Sequence, residues 1–147
     1  MIIKLLPQQI PQLWEAIKLA AVQSDEIPID VIAPYLHRLL QGLLSDRVQC
    51  FVRLDEARTL LSLVITSILV NQLTGQRELV VRCFYSFRTL SEEDARASMN
   101  LLKNFATAQQ CDRLSCDSRH PRVWQLVSDH GWREESRHYT YAMNGGG

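Results

Sequence analysis

Leu60-Leu61-Ser62-Leu63-Val64-Ile65-Thr66-Ser67-Ile68-Leu69-Val70 is the stretch on which the fold turns. Successive side chains of a strand point to opposite faces. At that period Leu61, Leu63, Ile65 and Leu69 line one face, while Leu60, Val64, Ile68 and Val70 line the other. A strand that is apolar on both faces must be covered on both. Thr59–Asn71 is therefore expected to be a central strand with helices above and below it. The apolar core of this stretch is far shorter than the about 20 residues a membrane-crossing helix needs.

Its neighbours keep the same period. Val48–Leu54 and Glu78–Phe87 read as strands, joined to the central one through Asp55-Glu56-Ala57-Arg58 and Gln72-Leu73-Thr74-Gly75-Gln76. Connections this short, the second with a turn-forming glycine, make the three strands an antiparallel meander. Before them, Ile2–Leu6 reads as a first strand closed by Pro7. Pro11 opens a helix carrying Leu13, Trp14, Ile17, Ala20 and Ala21, broken at Ser24-Asp25-Glu26. A second amphipathic helix is expected over Ile29–Leu44. After the meander, Ser91 caps a helix with Glu92, Glu93 and Asp94 in its first turn and Ala95, Met99, Leu102 and Phe105 on its apolar stripe. Arg113–Asp117 reads as a short strand and Pro121–His130 as a helix ended by Gly131. Arg133–Met143 alternates His138, Thr140 and Ala142 against Tyr139, Tyr141 and Met143, the pattern of a closing strand. The expected order is β-α-α-β-β-β-α-β-α-β, an α/β fold with a mixed, largely antiparallel sheet and helices on both faces. It forms a single domain over 1–144, with a glycine tail at 145–147.

Composition narrows the function classes. The 147 residues are 46% hydrophobic and 22% charged, which excludes disordered and collagen-like chains. Sixteen basic residues balance sixteen acidic ones, so no specific nucleic-acid partner is expected. Thirteen of the basic residues are arginine. Those toward the C-terminus (Arg113, Arg119, Arg122, Arg133, Arg137) are interleaved with Asp112, Asp117, Glu134 and Glu135, as on a solvated face. No signal peptide or membrane span is expected, and the chain reads as cytoplasmic. Cys50, Cys83, Cys111 and Cys116 are expected as reduced thiols, three of them in apolar runs. Cys111-x4-Cys116 followed by His120 has half the spacing of a zinc site, but no matching second pair completes it, and no metal is expected. Hydrolase, P-loop and zinc-protease motifs do not occur.

This order, and above all the ending Arg113–Asp117, Pro121–His130, Gly131-Trp132 and a closing strand, resembles the GNAT acyl-CoA N-acyltransferases over Ile2–Met143. The resemblance implies an acetyl-CoA site between the strand Glu78–Phe87 and the helix starting at Ser91, lined by Phe84, Tyr85, Phe87, Arg88, Thr89, Leu90 and Ser91. It also implies an amine acceptor, carried by a small molecule or a protein. Glu78 is the expected base. Tyr139, Tyr141 or His120 would serve as the acid for the leaving thiolate, and Cys83 or Tyr85 would line the pantetheine channel.

The turn itself departs from the family's Gln/Arg-x-x-Gly-x-Gly/Ala. Here it reads Arg88-Thr89-Leu90-Ser91-Glu92-Glu93, with Ser91 and Glu93 at the two small positions. Backbone N–H groups at a helix N-terminus hold a pyrophosphate best when nothing bulky or negative intervenes. Glu92, Glu93 and Asp94 are expected to oppose it, and equally to cap the helix and complement its dipole. Two functions stay open at this level. One is an acyltransferase. The other is a non-catalytic subunit on the same fold, working in a homo- or hetero-oligomeric assembly such as a phage particle.

Overall fold

The computed structural model describes residues 1–143. Its five strands are β1 (Ile2–Lys4), β2 (Val48–Leu54), β3 (Leu60–Val70), β4 (Arg77–Ser86) and β5 (Arg113–Cys116), in that order across one sheet. The helices are α1 (Ile10–Asp25), α2 (Ile32–Leu44), α3 (Glu92–Ala108) and α4 (Pro121–Asp129). A 3-10 turn, Ile29–Val31, leads into α2, so the start read at Ile29 is a tighter turn before the α-helix proper. The meander β2–β3–β4 is antiparallel throughout. Only β4 and β5 run parallel, as the intervening α3 crossover requires.

Both faces of the central strand are covered over Ser62–Thr66, whereas Leu69 and Val70, expected on covered faces, are exposed at its end. Leu63 and Ile65 of β3 join Cys50, Val52 and Leu54 of β2 beneath Ile10, Ile17, Ala20 and Ala21 of α1 and Leu39 and Leu43 of α2. On the opposite face Phe51, Val64 and Val81 pack against Leu102 of α3, with Phe105 meeting Phe51 edge to face at 5.2 Å. α2 lies close on the sheet at Gly42, where a Cβ would stand 2.6 Å from Val48 Cγ2.

A bulge shifts the β3–β4 register: Ile65 faces Cys83, whereas Thr66 faces Val81. Arg82 is the extra residue, and the side-chain alternation of β4 reverses there. Val81 and Phe84 thus share the α3 face, while Cys83 and Tyr85 turn toward α1.

One expected element is corrected. Arg133–Met143 forms no strand. Tyr139, Tyr141 and Met143 are 84%, 88% and 91% exposed, so neither side of the alternating pattern is packed. A strand also needs a partner edge. This segment is tied to β5 by the Arg113–Glu135 ion pair instead, while Arg137 pairs with Glu134 at 3.3 Å within the segment itself. α4, with no residue fully buried, is followed past its cap at His130 by Gly131, whose φ of +89° suits glycine. The expected glycine tail at 145–147 lies outside the described residues. Among the described residues no helix is long and apolar enough to cross a membrane.

Candidate active site

β4 and β5 pair over Glu78–Val81 and Arg113–Cys116, and the pairing stops there. Past the bulge, Cys83–Ser86 continue along β3 alone because β5 ends at Cys116, and this end of the parallel pairing is the parting between the two strands. Two structures flank this parting: the head of α3 and the last turn of α1.

At the head of α3, Ser91 Oγ accepts the Asp94 N–H at 3.1 Å and donates to Asp94 Oδ2 at 2.7 Å. Asp94 also pairs with Arg53, reaching across from β2 at 3.0 Å. Glu92 lies 3.9 Å from Arg96 and 3.6 Å from the His130 ring at the end of α4. The Arg53 Nε and His130 Nε2 atoms are buried without hydrogen-bond partners. Among the described residues the N–H groups of Glu92 and Glu93 have no partner, as the open end of a helix dictates. Arg88, Thr89 and Ser91 are exposed and Leu90 is half-buried. Ser86 Oγ donates to the Arg88 carbonyl across this turn.

The last turn of α1 gathers the other side. Ser24 takes one partner from β4 and one from the segment between β5 and α4: its Oγ accepts the Cys83 thiol at 3.2 Å, and its carbonyl meets His120 Nε2 at 2.7 Å. Tyr85 donates its hydroxyl to Gln23 Oε1 at 2.7 Å and stacks edge to face on Phe87 at 4.9 Å. Asp25 Oδ2 accepts the Tyr35 hydroxyl of α2 at 3.0 Å. Burial raises the Asp25 carboxyl above its ordinary range, and the Tyr35 hydrogen bond, then Arg82, His120 and Arg119, offset part of that rise. Tyr35 is raised by burial and by the Asp25 charge. Burial pushes Cys83 up to about 12, so its thiol stays protonated.

His120 is fixed from three directions. Its N–H donates to Ser118 Oγ at 3.1 Å, its carbonyl accepts from Val123 and Trp124 at the start of α4, and its ring lies against Ser24.

The residues singled out from sequence are thus distributed. His120, Cys83 and Tyr85 converge on the end of α1. Phe84 packs on the α3 face, and Phe87 on the α1 side. Glu78 stands at the far end of β4, bound to Arg113 Nε at 3.0 Å. Tyr139 projects into solvent. Sequence reading missed Ser24, Asp25 and Tyr35, because Ser24-Asp25-Glu26 signals a helix end whether or not it carries chemistry.

Beneath the parting, an apolar cavity of about 20 Å³ lies among Phe84, Met99, Leu102, Val127 and Trp132. That is room for a water molecule or so.

No family model matches the chain, and no curated protein matches it in sequence. Solved structures do match it in shape. A predicted acetyltransferase from Clostridium acetobutylicum, solved with acetyl-CoA, is 12% identical with a TM-score of 0.74, over 98% of this chain and 96% of its own. A ribosomal-protein-alanine N-acetyltransferase from Brucella melitensis biovar Abortus 2308 is 19% identical with a TM-score of 0.70, over 97% and 99%. An aminoglycoside acetyltransferase from an uncultured soil metagenomic sample is 17% identical with a TM-score of 0.71, over 97% of each chain. Sheet order, the single parallel pair and these near-complete superpositions agree, and the chain has the GNAT fold.

Proposed function

We propose that this protein is a GNAT-type acyltransferase that passes an acetyl group from acetyl-CoA to an amine by direct attack. The observation that carries the reading is the parting of β4 and β5 at the Arg82 bulge, with the head of α3 on one side and a polar cluster on the other. Acetyl-CoA supplies an activated thioester. Strand backbone at Cys83–Ser86, which β5 leaves unpaired, with Phe84, Tyr85 and Phe87, would line its pantetheine arm. Arg88, Thr89, Leu90, Ser91 and the partnerless N–H groups of Glu92 and Glu93 would hold the pyrophosphate.

The acidic first turn is less hostile to that ligand than its sequence alone implies. Asp94 is drawn to Arg53 and Ser91, and Glu92 lies between Arg96 and His130. Glu93 is then the one first-turn carboxylate with no ion-pair partner among the described residues, so it carries the electrostatic departure from the family's glycine-rich turn. Of the expected catalytic residues, His120 stands against the parting, whereas Glu78 is committed to Arg113 and Tyr139 is remote in solvent. In this reading residues 1–144 act as one cytoplasmic domain.

Calorimetric titration with acetyl-CoA and CoA, at low and at physiological salt, tests it. Micromolar binding that weakens with salt is the expected result, and Glu93→Gly should tighten it. No heat and no thermal shift up to millimolar ligand would overturn the reading and leave a GNAT-fold subunit without cofactor chemistry.

A further inference from the structure

We infer that His120 is the general base of this site, with its proton carried on Nε2 and its Nδ1 lone pair free to accept a proton from the acceptor amine. The inference rests on the acyltransferase reading for its chemistry, but on geometry for the residue and the atom. His120 Nε2 lies 2.7 Å from the Ser24 carbonyl oxygen. A carbonyl can only accept, so Nε2 must bear the hydrogen. A neutral imidazole has one N–H, and Nδ1 is left as the basic nitrogen. Nδ1 has no partner among the described residues. Ser24 touches both His120 and Cys83, the first residue of β4 beyond the bulge, so the ring is held across the mouth of the parting.

Such a base is pre-positioned rather than recruited. The Ser24 carbonyl sets the tautomer, Ser118 Oγ and the start of α4 fix the backbone, and no side-chain substitution at Ser24 would release the ring. Of the charged and titratable groups on the packed elements, Asp25 on α1 lies within electrostatic reach of His120, and Cys83 on β4 shares Ser24 with it; Tyr35 on α2, Arg82 on β4 and Arg119 on its own segment surround Asp25 in turn.

The step balances. The amine nitrogen bonds to the thioester carbonyl carbon and its proton passes to Nδ1. The carbon–sulfur bond then breaks, and the CoA thiolate takes that proton from the imidazolium, giving amide, free thiol and neutral His120.

The test has two arms. Proton–nitrogen NMR of the full chain, with His120→Gln identifying the resonances, should show neutral His120 protonated on Nε2. A proton on Nδ1 would overturn the assignment whatever the protein's activity. The second arm follows thiol release from acetyl-CoA, with ethanolamine or water as acceptor. His120→Gln keeps an amide donor for the Ser24 carbonyl while removing the base. It should bind acetyl-CoA as the wild type does, yet turn over about 10²–10⁴-fold more slowly. It should also lose the acidic limb of the pH profile and recover rate with added imidazole. His120→Asn gives the same readout if His120→Gln melts early. Wild-type protein that binds no acetyl-CoA sinks the acyltransferase reading and this role with it. Binding intact and turnover unchanged in both variants would overturn the role of His120 alone.

Discussion

The sheet is covered on one face by α1 and α2 and on the other by α3 and α4, and the two layers are built differently. Beneath α1 and α2, thirteen residues are buried in one continuous cluster. Beneath α3 and α4 the corresponding cluster has four; Ala95, Met99 and Ala106 of α3 are buried beside it, but α4 contributes half-buried side chains only. The cause is local: β5 is four residues long, nothing pairs with its outer edge among the described residues, and the segment after α4 is tied to it by the Arg113–Glu135 ion pair rather than by a ladder. A thin layer beside a thick one puts the proposed ligand opening where the fold is least committed. Functional segments are often drawn from that low-stability end.

The largest effect should come from the thick layer. Ile17 is 0% exposed, and Ile17→Ala should cost about 2–5 kcal/mol in chemical denaturation, by lost transfer energy plus the cavity left behind. Val127→Ala on α4 removes less buried surface beside a space that is already imperfectly filled, and should cost about 1.5 kcal/mol or less. Equal losses would mean that α4 is held as firmly as α1 and that the contrast between layers is false.

The same contrast explains what was legible beforehand. Leu60–Val70 declared itself because eight apolar side chains on alternating faces leave a strand no option but the centre of a sheet. Arg133–Met143 misled for a related reason: period-two alternation reports how a strand would sit, not whether an edge exists for it to sit against. In the candidate site, the Ser91 cap and the first-turn acids were visible as local chemistry. That Arg53 would draw Asp94 aside was not, because Arg53 comes from β2. The Ser24 contacts are remoter still, spanning 59 residues to Cys83 and 96 to His120. No window of sequence holds both ends of such a contact.

Thiol chemistry sharpens the comparison at intermediate scale. Cys50 and Cys83, under α1 and α2, are 1% and 3% exposed, and burial pushes each up to about 12. At pH 8 about one part in 10⁴ of each would be thiolate. Cys111 is half-exposed, and the partial burial that raises it is opposed by Arg77, while burial pushes Cys116, partly covered by the thinner layer, up to about 11. Iodoacetamide on native protein, followed by mass spectrometry, should label Cys111 first and Cys116 next. Cys50 and Cys83 should label only as the protein unfolds. Early labelling of Cys83 would show that the mouth between β4 and β5 opens to solvent on the α1 side.

The smallest effect tests the polar rim of the thick layer, where Asp25 meets Tyr35. Burial is the main cause of the raised Asp25 pKa, so folding favours its protonated form. Its contribution to stability is therefore fully present below the unfolded value near 3.8 and is lost as pH rises through the higher folded value. Asp25→Asn keeps a carbonyl oxygen to accept the Tyr35 hydroxyl but has no charge to desolvate. The variant and the wild type should melt alike at pH 3. At pH 7 the variant should melt slightly higher, by well under about 1 kcal/mol because water reaches half of this group. A variant that melts lower at pH 7 would reverse the reading. Arg82, Arg119 and His120 would then outweigh burial, and the end of α1 would be held by attraction across the opening rather than by packing alone.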